Sequence, residues 1–136
     1  MQKRKGSARE ISFFSKKCEC VISVFGSEAR SLAEKLEKDD GVLKYESRVP
    51  LLINPSEVSL IGIRSTYLKE DWVSDFLVET IEGNSLIIEA IAEAKLDKKA
   101  EIEKLELSRR YWSSKGIKWK LYIVEDSKRK GMLSGG

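Results

Sequence analysis

Leu86-Ile87-Ile88-Glu89-Ala90-Ile91-Ala92-Glu93-Ala94 is the stretch on which the fold turns. It is a short, nearly continuous apolar run, opened by the turn formers Glu82-Gly83-Asn84-Ser85, and it reads as a buried strand. Residues 97–115 follow, with Ile102, Leu105, Leu107, Tyr111 and Trp112 set among Lys, Glu and Arg, the pattern of a helix with one apolar face. Gly116 closes that helix, as glycine commonly does in the left-handed position past a helix end. Ile117-Lys118-Trp119-Lys120-Leu121-Tyr122-Ile123-Val124 alternates and then becomes continuously apolar, so a second strand begins exposed and finishes buried. A helix between two strands implies a crossover and a parallel pair.

Working outward, Asp75 heads a further apolar strand, residues 76–79. Residues 27–39 form a helix in which Ala29, Leu32, Ala33 and Leu36 recur at three- and four-residue spacing, with Ser27 as N-cap and Glu28 in the first turn. Short strands are expected at residues 42–45, 50–53 and 58–63, with Asn54-Pro55-Ser56 as a turn, and residues 11–25 make a hairpin or irregular lead-in. The fold class is α/β: a central mixed sheet flanked by helices.

The bulk composition narrows function mainly by exclusion. At 136 residues, 41% hydrophobic and 35% charged, the chain fits one soluble domain able to bury roughly two-thirds of its unfolded surface. Apolar runs fall well short of the ~20 residues that span a bilayer, and the basic N-terminus lacks an adjoining signal-type core, so an intracellular location is expected. Polar, basic segments at residues 1–10 and 127–136 read as flexible tails around a domain at residues 11–126. Residues 1–10 and 126–136 contribute a net +5 to a chain that is +3 overall, so the body between them is net acidic. Histidine is absent, which removes Ser-His and Cys-His nucleophiles and makes zinc unlikely. Cys18 and Cys20, one residue apart, suit adjacent inward positions of a strand better than a disulfide or a metal site.

The remaining chemistry must come from carboxylates, lysines and a metal. Asp75 precedes Glu93-Ala94-Lys95, and if residues 93 and 95 continue the strand they project to one face, where Asp75 can meet them. Two carboxylates and an ammonium in one pocket suit metal-dependent phosphodiester hydrolysis, with hard oxygen ligands for the ion and a lysine to orient the attacking water. Acid-x-lysine alone is a weak signal in so charged a chain; it gains weight from the buried strand before it and from Asp75 on another.

Glu103-Lys104-Leu105-Glu106-Leu107-Ser108-Arg109-Arg110-Tyr111-Trp112, followed by Lys115-Gly116-Ile117-Lys118-Trp119 and an apolar strand, resembles the TnsA family, the endonuclease subunits of heteromeric transposases. Ser74-Asp75-Phe76-Leu77-Val78 is similar to that family's catalytic-aspartate strand, and Asp39-Asp40-Gly41-Val42 to the stretch ahead of its sheet. The resemblance implies a restriction-endonuclease-like fold and a DNA endonuclease that cuts the 5′ strand at transposon ends while a partner transposase handles the other. It implies Glu28 as the helix acid, Asp75 as the metal-bridging acid, Glu93 as the second acid and Lys95 as the base. Glu34 and Glu37 share the helix with Glu28. Asp75, Glu93 and Glu28 would hold Mg²⁺, with Mn²⁺ able to substitute, and two ions would stand ~3.5–4 Å apart. An ungapped alignment back from Glu103 sets Glu89 and Ile91 at the family's last two positions. A gapped one sets Glu93 and Lys95 there and is preferred, since shortening a surface loop costs little. The implied partners are double-stranded DNA, the transposase subunit and a regulatory ATPase; a homodimer is a further association to be considered.

Other residues have plainer readings. Trp112, Trp119 and Tyr111 are expected in the core or at an interface rather than as base-stacking platforms. Arg109, Arg110, Lys118 and Lys120 are candidates for phosphate contact, with a solvated surface as the alternative. Two functional classes remain: a nuclease, and a nuclease-fold module that binds DNA or protein without turnover.

Overall fold

Hydrophobic spacing and turn chemistry account for the strand-helix-strand unit in the second half of the chain, and the first half supplies the helix and hairpin that cover the other sheet face. The structure, a computed structural model, describes residues 9–64, 67 and 72–125. Of the expected tails, residues 1–8 and 127–136 lie outside the described residues, whereas Glu10 already opens a strand. The elements are β1 (Glu10–Ser15), β2 (Cys20–Phe25), α1 (Ser27–Lys38), β3 (Val42–Leu51), β4 (Trp72–Thr80), β5 (Ser85–Ala92), a 3₁₀ turn (Glu93–Lys95), α2 (Lys99–Ser114) and β6 (Lys118–Val124).

A four-stranded sheet runs β3-β4-β5-β6, antiparallel except for the final parallel pair, and β1-β2 forms a separate hairpin. The parallel β5-β6 pair is the one that the crossover helix requires. Gly116 stands beyond α2 with φ 74°, a conformation that costs side-chain-bearing residues energy. The β4-β5 turn is closed by Thr80 N–H to Asn84 O (2.9 Å) and Gly83 N–H to Thr80 O (3.0 Å). This turn sets the strand register Phe76↔Ile88, Leu77↔Ile87 and Val78↔Leu86.

Two hydrophobic clusters sandwich the sheet. Ile22, Val24, Leu32, Ala33, Leu36, Tyr45, Phe76 and Val78 pack the hairpin and α1 on one face, whereas Ile87, Leu107, Tyr111 and Trp112 pack α2 on the other. In a regular strand Ser74 and Phe76 would share a face. They do not: Phe76 packs toward α1, while Ser74 accepts a hydrogen bond from Trp112 Nε1 of α2 (2.8 Å). The facing strand carries a matching irregularity at Arg48, whose φ of 57° lies in the left-handed region, between the pairs Ser47↔Phe76 and Val49↔Ser74. Both strands therefore exchange faces beside Asp75.

Several sequence expectations need correction. The strands expected at 42–45 and 50–53 are one ten-residue strand, because β4 pairs along its whole length. Residues 58–63 form turns rather than a strand: Val58 packs into the α2-side cluster, and Ile61 is exposed. Ser27 is the first helical residue, not the cap; Gly26 occupies that position and Ser27 Oγ donates to Glu28. The cysteines are not inward strand residues. Cys18 lies in the hairpin turn with its sulfur against the Tyr45 backbone, and Cys20 is exposed.

The hairpin, α1 and β3 are joined through Glu37. Its carboxylate accepts hydrogen bonds from Ser15 Oγ and Tyr45 Oη, with Lys17 N–H at 3.5 Å. Burial pushes this acid up, but the hydrogen bonds outweigh it and hold the group below its usual range. Replacing Glu37 by Ala strands two hydroxyls at a part-buried junction, and chemical denaturation should register a loss of about 1–3 kcal/mol. A loss below 0.5 kcal/mol would show that the junction contributes nothing.

Candidate active site

The β4-β5 register brings acids together. One step beyond Phe76↔Ile88 it sets Asp75 opposite Glu89. Asp75 accepts the Ala90 N–H at 2.7 Å. Glu89 is buried on the α2 side, where one carboxylate oxygen accepts from Ser74 Oγ (2.7 Å), Ser108 Oγ and Trp119 Nε1 (3.1 Å). Three elements, β4, α2 and β6, thus supply donors to a single acid on β5.

Electrostatics follow from this burial. Asp75 is pushed from the ordinary 3.8 up to about 7, first by burial and then by the charge of Glu89; the Ala90 N–H opposes the rise, and the charge of Glu28 adds to it. Burial likewise raises Glu89 against the pull of its three donors.

A cavity of about 250 Å³ opens beside the pair, lined by Asp75, Glu89, Ala90 and Ile91 from the sheet and by Glu101, Lys104 and Ser108 from α2. The structure brings Asp75 and Glu89 together at this cavity, and it places none of Glu28, Glu93 and Lys95 in its lining. The premise that residues 93 and 95 continue the strand fails, because β5 ends at Ala92 and the chain turns into a 3₁₀ coil in which Lys95 is exposed. Ile91 occupies the strand position two residues past Glu89 and is buried.

The donor set suits a hard divalent cation. A buried carboxylate, Glu89, and a half-buried one, Asp75, carry charge that desolvation and mutual repulsion oppose, and a cation would relieve both. Mg²⁺ is usually held by one or two carboxylates, with water and substrate phosphate completing its shell. Among the described residues no group of three or more His, Cys, Asp or Glu side chains is gathered to enclose an ion, so this is an open pair.

Sequence reading missed Ser74, Ser108 and Lys104. The signal was present: Glu101, Lys104, Leu105 and Ser108 recur at three- and four-residue spacing and share one helix face. Of the phosphate candidates, Arg110 is engaged internally, donating to Glu106 and to the Ser59 and Ile61 carbonyls (2.9 Å each), and Arg109 forms a two-point pair with Glu106. Lys118 and Lys120 are exposed. Trp112 and Tyr111 are buried core residues, and Trp119 is half-buried against Glu89.

The raised acids define a pH signature. A native carboxyl that titrates near 7, against 3.8 when unfolded, favours folding below about pH 4, and this contribution is lost as pH rises through 7. Thermal melts of the metal-free domain should fall in midpoint across that window, and Asp75→Asn should flatten the fall. An Asp75→Asn profile that keeps the wild-type slope would assign the effect elsewhere.

The family described as TnsA-like endonuclease N terminal matches residues 40–123, which takes in β3 to β6 with Asp75, Glu89 and α2 but leaves α1 outside. The chain is 29% identical over 135 residues to the Transposon Tn7 transposition protein TnsA of Escherichia coli, covering 93% of this chain and 49% of that protein. It therefore spans about half the length of that relative. The mixed sheet with a helix on each face agrees with the restriction-endonuclease-like fold expected from the resemblance. By the extent of the family match, the chain belongs to the TnsA-like N-terminal endonuclease family.

Proposed function

We propose that this domain is a metal-dependent DNA endonuclease acting in transposition inside the cell, cutting the 5′ strand at transposon ends together with a partner transposase. The observation that carries the reading is the pairing of half-buried Asp75 with buried Glu89 at an open cavity, in a chain of an endonuclease family. Asp75 and Glu89 would hold Mg²⁺ or Mn²⁺, with Glu28 completing the ligands of a second ion in a two-ion form. The bound metal would supply a Lewis acid and a water acidic enough to attack phosphorus at neutral pH. In this reading the second-acid role expected of Glu93 passes to Glu89, because Glu89 is the acid opposite Asp75.

The residues of the chain divide the remaining work. Ser74, Ser108 and Trp119 hold the Glu89 carboxylate in one orientation, so little reorganisation is required on binding. The Ala90 N–H fixes the Asp75 carboxylate in the same way. Asp75 must be ionised to bind a cation, so metal affinity should weaken as pH falls below about 7.

A second reading has its own support. Ile91 stands where the ungapped alignment with the family puts a lysine, which favours a module that binds DNA or the transposase without cleaving. The two readings separate when the domain and its partner transposase are incubated with a plasmid carrying the transposon ends. The nuclease reading expects Mg²⁺- or Mn²⁺-dependent strand breaks, at least 100-fold fewer with Asp75→Ala, and saturable Mn²⁺ binding that the same substitution removes. Intact plasmid together with no saturable Mn²⁺ uptake would leave the module.

A further inference from the structure

Charge is unevenly shared around the cavity. Asp75, Glu89 and Glu101 bring negative charge, and among the described residues lining it Lys104 is the only cation. The β5 positions at the cavity, Glu89, Ala90 and Ile91, carry no amine, and Lys95 is exposed on the turn beyond the strand. Lys104 arrives from α2, one helical turn before Ser108, which itself bonds Glu89. Its Nζ lies 5.3 Å from the ring centre of Trp72 and 5.8 Å from that of Tyr67, two rings in edge-to-face contact with each other. Aromatic faces attract an ammonium electrostatically without using its N–H donors. Among the described residues Lys104 is in no ion pair, unlike Arg64, Arg109, Arg110 and Lys115 on or around the same helix.

We propose that Lys104 is the cationic residue of this site, contacting a non-bridging oxygen of the scissile DNA phosphate from α2, a role that no lysine on β5 fills. The inference rests on the nuclease reading for the identity of the phosphate and deepens it. Hydrolysis adds negative charge to the phosphoryl oxygens as water attacks and the 3′ oxygen departs with a proton. An ammonium already seated at the cavity wall meets that charge without rearrangement. Trp72 and Tyr67 act as positioning residues, since their rings attract the ammonium without taking its N–H donors, which are left for the substrate.

Lys104→Met keeps the length and apolar stem and removes the charge; Lys104→Arg restores charge at the same place. Two measurements are made on the domain. The first is cleavage of transposon-end DNA with the partner transposase and Mg²⁺. The second is affinity for a short end duplex in Ca²⁺, followed by fluorescence anisotropy across a salt series. The proposal expects Lys104→Met to melt with the wild type, bind Mn²⁺ as tightly, cleave roughly 100-fold more slowly, and lose about 0.9 from the slope of log affinity against log salt, the value of one phosphate contact. Lys104→Arg should recover the slope.

An unchanged slope in Lys104→Met overturns the proposal, whether or not the wild type cleaves. A cleaving wild type whose Lys104→Met variant cleaves equally well overturns it too, and leaves the nuclease reading intact. A wild type that never cleaves, with the slope still lost in Lys104→Met and recovered in Lys104→Arg, upholds the phosphate contact and removes the nuclease reading. Loss of the slope in Lys95→Met with none in Lys104→Met assigns the contact to the turn after β5 and overturns the proposal.

Discussion

Much of this domain depends on one buried carboxylate. Glu89 sits inside the sheet-helix layer, where an ion without partners would cost several kcal/mol, and it is tolerated because β4, α2 and β6 each deliver a donor to the same oxygen. The constraint works in both directions. An element that shifts leaves a charge exposed to an apolar surround, so Ser74, Ser108 and Trp119 fix the relative positions of the strands and the crossover helix. Trp112 extends the arrangement by donating to Ser74, which ties the apolar face of α2 to the polar network. Removing one donor therefore differs from removing the acid: the first leaves an underserved charge, the second removes the demand.

The same arrangement places Asp75 under tension that the fold does not relieve alone. Its neighbour is an acid, it is half-buried at the cavity wall, and the Ala90 N–H compensates only in part. Natural domains retain such pairs where binding repays the cost, since a ligand of opposite charge recovers in affinity what the free protein gives up in stability. The junction at Glu37 shows the contrast: an acid with hydroxyl and amide donors whose ionised form is favoured, serving only to join hairpin, helix and strand.

The sequence was most readable where a single period governed a segment. The β5-α2-β6 unit, its parallel pairing and the stop at Gly116 followed from apolar spacing and glycine chemistry, because those local preferences agree with the tertiary packing. Reading weakened where tertiary partners decided. β3 looked like two short strands because Glu46, Ser47 and Arg48 interrupt its apolar character, yet its register to β4 is the same on either side of Arg48. Val58, Leu60 and Ile61 have strand-like side chains, and Arg110 instead holds the Ser59 and Ile61 carbonyls. Of the cavity's acids, Asp75 was legible as an acid beside an apolar run, although the strand expected at 76–79 begins earlier, at Trp72, and holds Asp75 within it. The partner acid was not, because strand length decides whether Glu89 or Glu93 faces Asp75, and strand ends are the least local property of a sequence. Lys104 was hidden because its relevance depends on how α2 is rotated against the sheet.

Arg48 carries a consequence of its own. A bulky residue in left-handed backbone stores roughly 1–3 kcal/mol of strain, and its guanidinium lies 4.2 Å from the centre of the Phe25 ring, at the end of the N-terminal hairpin. The crease that turns Ser74 toward Glu89 is thus braced from outside by a stacked aromatic. The hairpin thus reaches the sheet at its crease: Phe25 meets the one residue of β3 whose φ is positive, so the strand's change of face and the seating of the hairpin share a single side chain.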